Sequence, residues 1–396
     1  MTATPTGGNR GADDLGQAAE ICPSCGRQEG VSLPIPAAGR SMLSDGRVIA
    51  RPLDKLWCPS CGLVRHRHPP TAAEISAIYS GAYGLPALTG TGEEARGRAY
   101  AAAIVDAIGG RKPGLRLIDV GCGSGAMLRA LGDCDEAATY ELTGIDPALP
   151  PALAQANERL TLMRGFPDRD LAGHGPFDAV ISINTIEHTP DPAQFLATLA
   201  SLMTPDGQTI VVCPTTEFAN DELLFFDHFW SISPAAMISF AARSGLRMVG
   251  RRGLAAPLAG FQLFRFAHSA SGEPEAAVAD VSPDAVAYLD AWTELDASLE
   301  QQLAAAGNPA QAFGAGQMAA LLRAYAPRTF AMLKRFLLDR PEEAWPLGPA
   351  VRYDGFMTLD GWTTLVAVHP SAQNAVAARI RGDGGFAVTL PAAIKN

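Results

Sequence analysis

Leu115-Arg116-Leu117-Ile118-Asp119-Val120-Gly121-Cys122-Gly123-Ser124-Gly125-Ala126 is the stretch whose reading decides the fold. An apolar run carrying one acid ends in a glycine turn, and Ala126 to Leu131 resumes with helical periodicity. The stretch therefore reads as a buried strand, a tight loop and the start of a helix. Gly121, Gly123 and Gly125 permit positive φ and let a ligand approach the backbone with no Cβ in the way. The helix beyond them leaves free N–H groups facing whatever the loop holds.

Working outward, the same strand and helix alternation continues. Thr91-Gly92-Glu93-Glu94 caps a helix through Ile108, ahead of the first strand, Leu115 to Val120. Leu142 to Ile145 is a second strand with Asp146 at its tip, Leu160 to Met163 a third followed by Phe166, and Phe177 to Ile183 a fourth ending at Asn184. Asp191-Pro192 opens a helix to Leu202, and the turn Pro205-Asp206-Gly207 precedes a fifth strand, Gln208 to Cys213. Ser233-Pro234 begins another helix, and Leu246 to Val249 with Phe261 to Phe266 makes a closing antiparallel hairpin. The expected class is α/β, a doubly wound and mostly parallel Rossmann-like sheet. Ligands of such sheets sit at the carboxyl ends of the strands, where Asp119, Asp146, Phe166, Asn184 and Pro214 fall.

Two cofactors fit the glycine loop. Gly121-x-Gly123-x-x-Ala126 satisfies a loose dinucleotide fingerprint, with Asp146 near the place of a ribose-binding acid. Asp119 decides against it. A pyrophosphate would be repelled by that carboxylate, whereas the cationic amino-acid end of S-adenosylmethionine (SAM) would be attracted. Asp119, Gly121, Gly123, Gly125 and Asp146 are the expected SAM ligands, with Phe166 as a flat surface for the adenine.

At the N-terminus, Cys22-Pro23-Ser24-Cys25 and Cys58-Pro59-Ser60-Cys61 form two knuckles, each followed by a glycine. Four such thiolates can close a tetrahedral zinc site, and a pair of redox dithiols is the competing reading. With Cys22, Cys25, Cys58 and Cys61 all on the metal, no position stays open for catalysis. Between and after the knuckles, Val31 to Pro36 and Arg47 to Leu56 allow a few short strands. Arg65-His66-Arg67-His68 reads either as a solvated face or as a hold for an anionic group. Thr71-Ala72-Ala73-Glu74 is a capping box for a short helix to Tyr79, and Tyr79 and Tyr83 either cover a small-molecule pocket or merely pack.

The order Asp119-x-Gly121-x-Gly123-x-Gly125 resembles the first motif of class I SAM-dependent methyltransferases. The run Phe177-Asp178-Ala179-Val180-Ile181-Ser182-Ile183-Asn184-Thr185-Ile186-Glu187-His188-Thr189-Pro190-Asp191-Pro192 resembles their fourth-strand signature. The likeness continues through Leu202, Pro205-Asp206-Gly207 and Val211 to Pro214, and covers roughly residues 91 to 267. With the double knuckle in front, the chain is similar to three-domain methyltransferases whose better-known members methylate a carbon of nucleotide-linked keto-deoxysugars. That resemblance implies an acid and His pair after the fifth strand, here Asp227-His228 followed by Phe229-Trp230-Ser231. It implies His228 as the base, tuned by Asp227; Tyr79 and Tyr83 are further catalytic candidates from their aromatic segment, and His188 lines the SAM pocket or stands behind it. The departure is Asp227, where the family pattern leads one to expect Glu.

Beyond a small, polar linker, Pro283 to Ala306 reads as an amphipathic helix. Gln311-Ala312-Phe313-Gly314-Ala315-Gly316, Phe336 to Asp339, Trp362 to Val368 and Phe386 to Leu390 then read as a smaller α/β unit with a degenerate nucleotide loop. It resembles the C-terminal Rossmann-like domain of the same family, binding substrate or only scaffolding. The expected division is a disordered tail over 1–20, a zinc-binding domain over 21–70, a SAM-binding domain over 71–268, a linker over 269–284 and the C-terminal domain over 285–396.

The 396 residues carry 41 acids against 31 bases, a net charge of −10, which argues against a general nucleic-acid binder. No apolar run approaches a membrane span, and the cysteine usage suits a reducing, cytoplasmic setting. The expected partner is a small molecule, by preference a nucleotide-sugar. Two rival classes stay open: a nicotinamide-dependent oxidoreductase, and a non-catalytic protein whose zinc module docks a partner.

Overall fold

A computed structural model describes residues 21–36, 39–79, 91–109, 112–171, 174–269, 284–354, 357 and 359–394. The tail over 1–20, Tyr83 and nearly all of the linker lie outside the described residues.

Arg116–Val120 lies inside an eight-stranded sheet. Across the sheet the strands run Leu246–Gly253, Phe261–His268, Met203–Pro214, Phe177–Ile183, Arg116–Val120, Glu141–Asp146, Leu160–Arg164 and Gln155–Ala156. The five from Met203–Pro214 to Leu160–Arg164 are mutually parallel. Phe261–His268 runs antiparallel to both of its neighbours. After Leu160–Arg164 the chain crosses back to the other side of Arg116–Val120, and a cleft opens at that switch, beyond the carboxyl ends of the strands.

The central strands read as apolar runs because both of their faces are covered. Leu117, Ile181 and Ile210 pack with Ile104, Leu128 and Leu131 of the helices Thr91–Ile108 and Ala126–Gly132. Their neighbours Ile118, Val180 and Val211 face the opposite way, into the cluster that holds Leu196, Leu199 and Phe240 of Pro192–Ser201 and Pro234–Arg243. Asp191 and Ser233 cap those two helices through their side chains, as Asp-Pro and Ser-Pro starts require. The expected turn Pro205-Asp206-Gly207 is a register shift inside Met203–Pro214: Phe177 pairs with Met203, and the next pair is Ala179 with Gln208.

The N-terminal segment folds into short strands. Val31–Ser32, Lys55–Trp57 and Val64–His66 form an antiparallel sheet whose fourth strand is Trp230–Ser231, so the segment does not close on itself. The hairpin Ser41–Met42 with Val48–Ile49 reaches the same loop, where the Phe226 N–H donates to the Met42 carbonyl at 2.8 Å. Both readings of Arg65-His66-Arg67-His68 need correction for the first two residues. Arg65 and His66 are buried, His66 Nε2 lies 2.8 Å from the Phe226 carbonyl, and burial lowers its pKa to about 3. The capping box is formed: the Thr71 N–H donates to Glu74 Oε2 at 2.7 Å and the Glu74 N–H to Thr71 Oγ1 at 3.3 Å.

Beyond the helix Asp284–Ala305, a parallel five-stranded sheet runs Ala350–Arg352, Leu333–Leu338, Ala310–Phe313, Thr363–Val366, Phe386–Val388. Asp339, past the tip of Leu333–Leu338, is paired with Arg379 at 2.7 Å. Trp292, Tyr325 and Trp345 belong to the same buried cluster as Met42 and Leu224. The Tyr325 hydroxyl donates to the Leu224 carbonyl and accepts from the Met42 N–H at 3.3 Å. Tyr325→Phe strands both buried backbone groups and is expected to cost about 1–3 kcal/mol. Denaturant unfolding of the two proteins measures it; an unchanged midpoint would refute the coupling. No helix among the described residues is long and apolar enough to cross a membrane.

Candidate functional site

The cleft at the switch point has a volume of about 1200 Å³ and is lined by Gly121, Cys122, Gly123 and Ser124 of the glycine loop with Asp119 and Asp146, while Gly125 does not line it. Asp119 ends the central strand, is 3% exposed, and its Oδ1 has no hydrogen-bond partner among the described residues. Burial, reinforced by the charge of Asp146, pushes its pKa up to about 8. Such a group waits for a cation. Asp146 ends the adjacent strand; its Oδ2 accepts from the Gly123 N–H at 2.8 Å and its Oδ1 from the Ala148 N–H at 2.6 Å. Burial raises Asp146 as well, against the pull of those two donors.

The loop geometry explains the glycines. Gly121 has φ +83°, and a Cβ there would run into the side chain of Thr185. Gly125 precedes the helix Ala126–Gly132, whose first turn has no side-chain cap. Phe166, 45% exposed, lines the cleft beyond Asp146. Asn184 lines it too; its Nδ2 donates to the Tyr100 hydroxyl at 2.9 Å. The sequence reading did not single out Glu93, Arg96 and Tyr100, which the helix Thr91–Ile108 contributes to the wall. The Arg96 guanidinium lies 5.5 Å from the Tyr100 ring centre and 5.1 Å from that of Phe261.

Tyr79 and His188 line the same cleft, and the Tyr79 hydroxyl lies 2.9 Å from His188 Nδ1. That nitrogen is also 2.7 Å from the Asp227 carbonyl oxygen. His228 does not line the cleft. It is buried behind His188, the two rings meeting edge to face with centres 4.7 Å apart. The expected pairing of His228 with the Asp227 carboxylate is corrected: Glu222 Oε2 sits 3.2 Å from His228 Nδ1, while the Asp227 carboxylate accepts from the Ser44 N–H and Oγ, both at 2.7 Å. The backbone turn at Asp227 directs its side chain toward the N-terminal hairpin, and the 3₁₀ turn Asp221–Leu224 brings Glu222 to the imidazole instead. Burial, then the nearby His188, hold the His228 pKa well below its ordinary value. Burial raises Glu222 to about 7 against the opposing charge of Lys55, and lowers Lys55 to about 8.

The four knuckle cysteines converge. Cys22 Sγ lies 3.6 Å from Cys61 Sγ, and Cys25 Sγ 3.7 Å from Cys58 Sγ. These separations are far too long for disulfides, and they match the roughly 3.7 Å edges of a tetrahedron with metal to sulfur bonds of about 2.3 Å. Gly26 and Gly62, both at φ +72°, close the two knuckles identically: each N–H donates to the carbonyl of the first cysteine, at 2.9 and 2.8 Å. Hydrogen bonds from Cys58 and Cys61 hold the Cys22 thiol far below its ordinary pKa, and the same contacts push Cys58 and Cys61 up.

Comparison with known proteins adds three findings. Residues 93–255 match a family model described as a methyltransferase domain. Two relatives are named ubiquinone biosynthesis O-methyltransferase. That of Caulobacter sp. (strain K31) is 38% identical over 108 residues, 26% of this chain and 42% of the relative. That of Cereibacter sphaeroides (strain ATCC 17025 / ATH 2.4.3) is 29% identical over 163 residues, 36% of this chain and 64% of the relative. The chain thus spans about half the length of these relatives. Among solved structures it is similar to the 1,6-didemethyltoxoflavin-N1-methyltransferase of Burkholderia thailandensis, with TM-score 0.40 and 16% identity over 54% of this chain and 96% of that one. The matched residues 93–255 carry the parallel strands and the glycine loop of the large α/β sheet.

Proposed function

We propose that the chain is a SAM-dependent methyltransferase acting on a small-molecule biosynthetic intermediate, by preference on a carbon of a nucleotide-linked keto-sugar. The observation that carries the reading is Asp119, a buried carboxyl whose Oδ1 has no partner among the described residues, beside a glycine loop at the switch point of the sheet. In this reading Asp119 takes the ammonium of SAM, Asp146 the ribose hydroxyls, and Phe166 and Asn184 line the cofactor's side of the cleft. The division at 70, 268 and 284 gives a zinc-binding module, the SAM unit and a C-terminal domain that binds substrate or scaffolds. Zinc on Cys22, Cys25, Cys58 and Cys61 is structural.

The acceptor stands at the wall of Tyr79 and His188, with His228 and Glu222 directly behind. For a keto-sugar, the proton alpha to the carbonyl passes to the imidazole pair of His188 and His228 at this wall. The resulting enolate carbon attacks the methyl in line, forming the new C–C bond as the C–S bond breaks and S-adenosylhomocysteine departs. His228 reaches the acceptor only through or past His188, so the two imidazoles act as one unit.

Replacing His188 by Ala or His228 by Asn is expected to lower kcat by about a hundredfold or more, the size of lost acid and base assistance, while S-adenosylhomocysteine still binds. Single-turnover kinetics over a panel of nucleotide keto-sugars measures this. Wild-type turnover in the His228 variant would remove that residue from the mechanism.

A further inference from the structure

Glu187 has no task in the scheme above. It is 1% exposed, and neither carboxylate oxygen has a hydrogen-bond partner among the described residues. Burying a carboxyl with nothing to bind is costly in either protonation state. The cation whose charge reaches it, Arg96, makes no hydrogen bond to it; that guanidinium donates to the Tyr100 hydroxyl at 3.1 Å.

The two imidazoles beside Glu187 share one posture. His188 Nδ1 meets the Asp227 carbonyl at 2.7 Å, and His228 Nδ1 meets Glu222 Oε2 at 3.2 Å. A carbonyl only accepts, and so does an ionised carboxylate. A neutral His188 then carries its proton on Nδ1 and leaves Nε2 with a lone pair, and His228 does the same when Glu222 is ionised. Histidines that bind metals are held in this way, the far nitrogen donating to a carbonyl or carboxylate. Glu222 is itself fixed by the Ser231 hydroxyl, which donates to it at 3.0 Å. One donor atom each from Glu187, His188 and His228 lies within 4.8 Å of the other two. Small side-chain movements close such a group round an ion with bonds of about 2.0–2.2 Å.

We propose that Glu187, His188 and His228 bind a divalent transition-metal ion, a second metal site chemically unlike the four cysteines. Two imidazoles and one carboxylate suit zinc, iron, cobalt or manganese, and three protein ligands leave positions open. His188 lines the cleft, so an oxygen of the acceptor takes an open position and is polarised by the ion. For that last role the inference rests on the methyltransferase reading; the binding of the ion does not. With the ion in place the imidazole lone pairs are spent on the metal, and a hydroxide formed from water at a further open position takes the proton alpha to the carbonyl.

The test titrates Co²⁺ into the full-length protein, with absorption spectroscopy and elemental analysis, beside calorimetric titration of S-adenosylhomocysteine into the same preparations. The expected result is one equivalent of cobalt with ligand-field bands and no sulfur-to-cobalt charge transfer. Glu187→Gln and His228→Asn should each weaken cobalt binding at least tenfold, the zinc content and the S-adenosylhomocysteine affinity staying as in wild type. Cobalt bound only with the sulfur signature, or bound equally by both variants, overturns the site. A wild-type protein that binds cobalt in this way but not S-adenosylhomocysteine upholds the metal site and sinks the methyltransferase reading. The reverse sinks the metal site alone.

Discussion

Asp146→Ala is expected to weaken S-adenosylhomocysteine binding by about a hundredfold or more. Two hydroxyl hydrogen bonds to a carboxylate are each worth about 1.5–3 kcal/mol, and 1.4 kcal/mol is tenfold. Asp119→Asn acts through the charge instead. In the unliganded protein Asp119 keeps its proton up to about pH 8, because burial opposes ionisation. The incoming ammonium favours the carboxylate, so binding below that pH releases a proton and affinity rises with pH until it levels off near 8. Calorimetry in two buffers of different ionisation enthalpy reads the proton directly. The raised pKa also has a cost in stability. As pH climbs from the ordinary carboxylate range toward 8, the unfolded chain ionises while folded Asp119 does not, and the fold loses ground. The Asn variant escapes that loss, so it should bind the cofactor weakly yet melt higher. Equal binding by wild type and Asp119→Asn, with no buffer dependence, would refute the assignment.

The second large effect belongs to the cysteines. Replacing Cys58 and Cys61 with serine is expected to release one equivalent of zinc and unfold the N-terminal strands, since a structural zinc site supplies folding energy outright. The damage should spread. Trp230–Ser231 pairs with Val64 and Arg65, and the Ser233 hydroxyl donates to the Cys61 carbonyl, so the segment carrying Glu222 and His228 loses its support. Near-ultraviolet circular dichroism and zinc release under a chelator measure both. A native spectrum after complete zinc removal would refute a structural role.

What was legible in the sequence depended on how a residue earns its place. Val180 and Ile181 sit in a strand covered on both faces, so the apolar run itself marked the element. Ala350–Arg352 and Gln155–Ala156 lie at sheet edges, short and largely exposed, and left no such mark. The glycine loop, Asp119 and Asp146 were legible because strand, turn and helix follow one another along the chain. Glu222 was not. Its contact with His228 depends on a 3₁₀ turn, and adjacency in sequence pointed to Asp227, whose carboxylate turns toward Ser44. Arg65 and His66 looked like a solvated charge run; their burial follows from strand pairing with Trp230–Ser231, far along the chain.

The borrowed strand sets an order of events during synthesis. Val64–His66 leaves the ribosome early, yet its partner Trp230–Ser231 is made only after most of the large sheet. At synthesis rates of about 5–20 residues per second that delay lasts on the order of ten seconds, during which an unpaired strand edge faces the cell. All four cysteines precede residue 62, so under the proposed zinc assignment the metal is expected to hold the nascent N-terminal segment compact through that interval. In zinc-starved cells the expected failure is aggregation of nascent chains, while protein already folded persists.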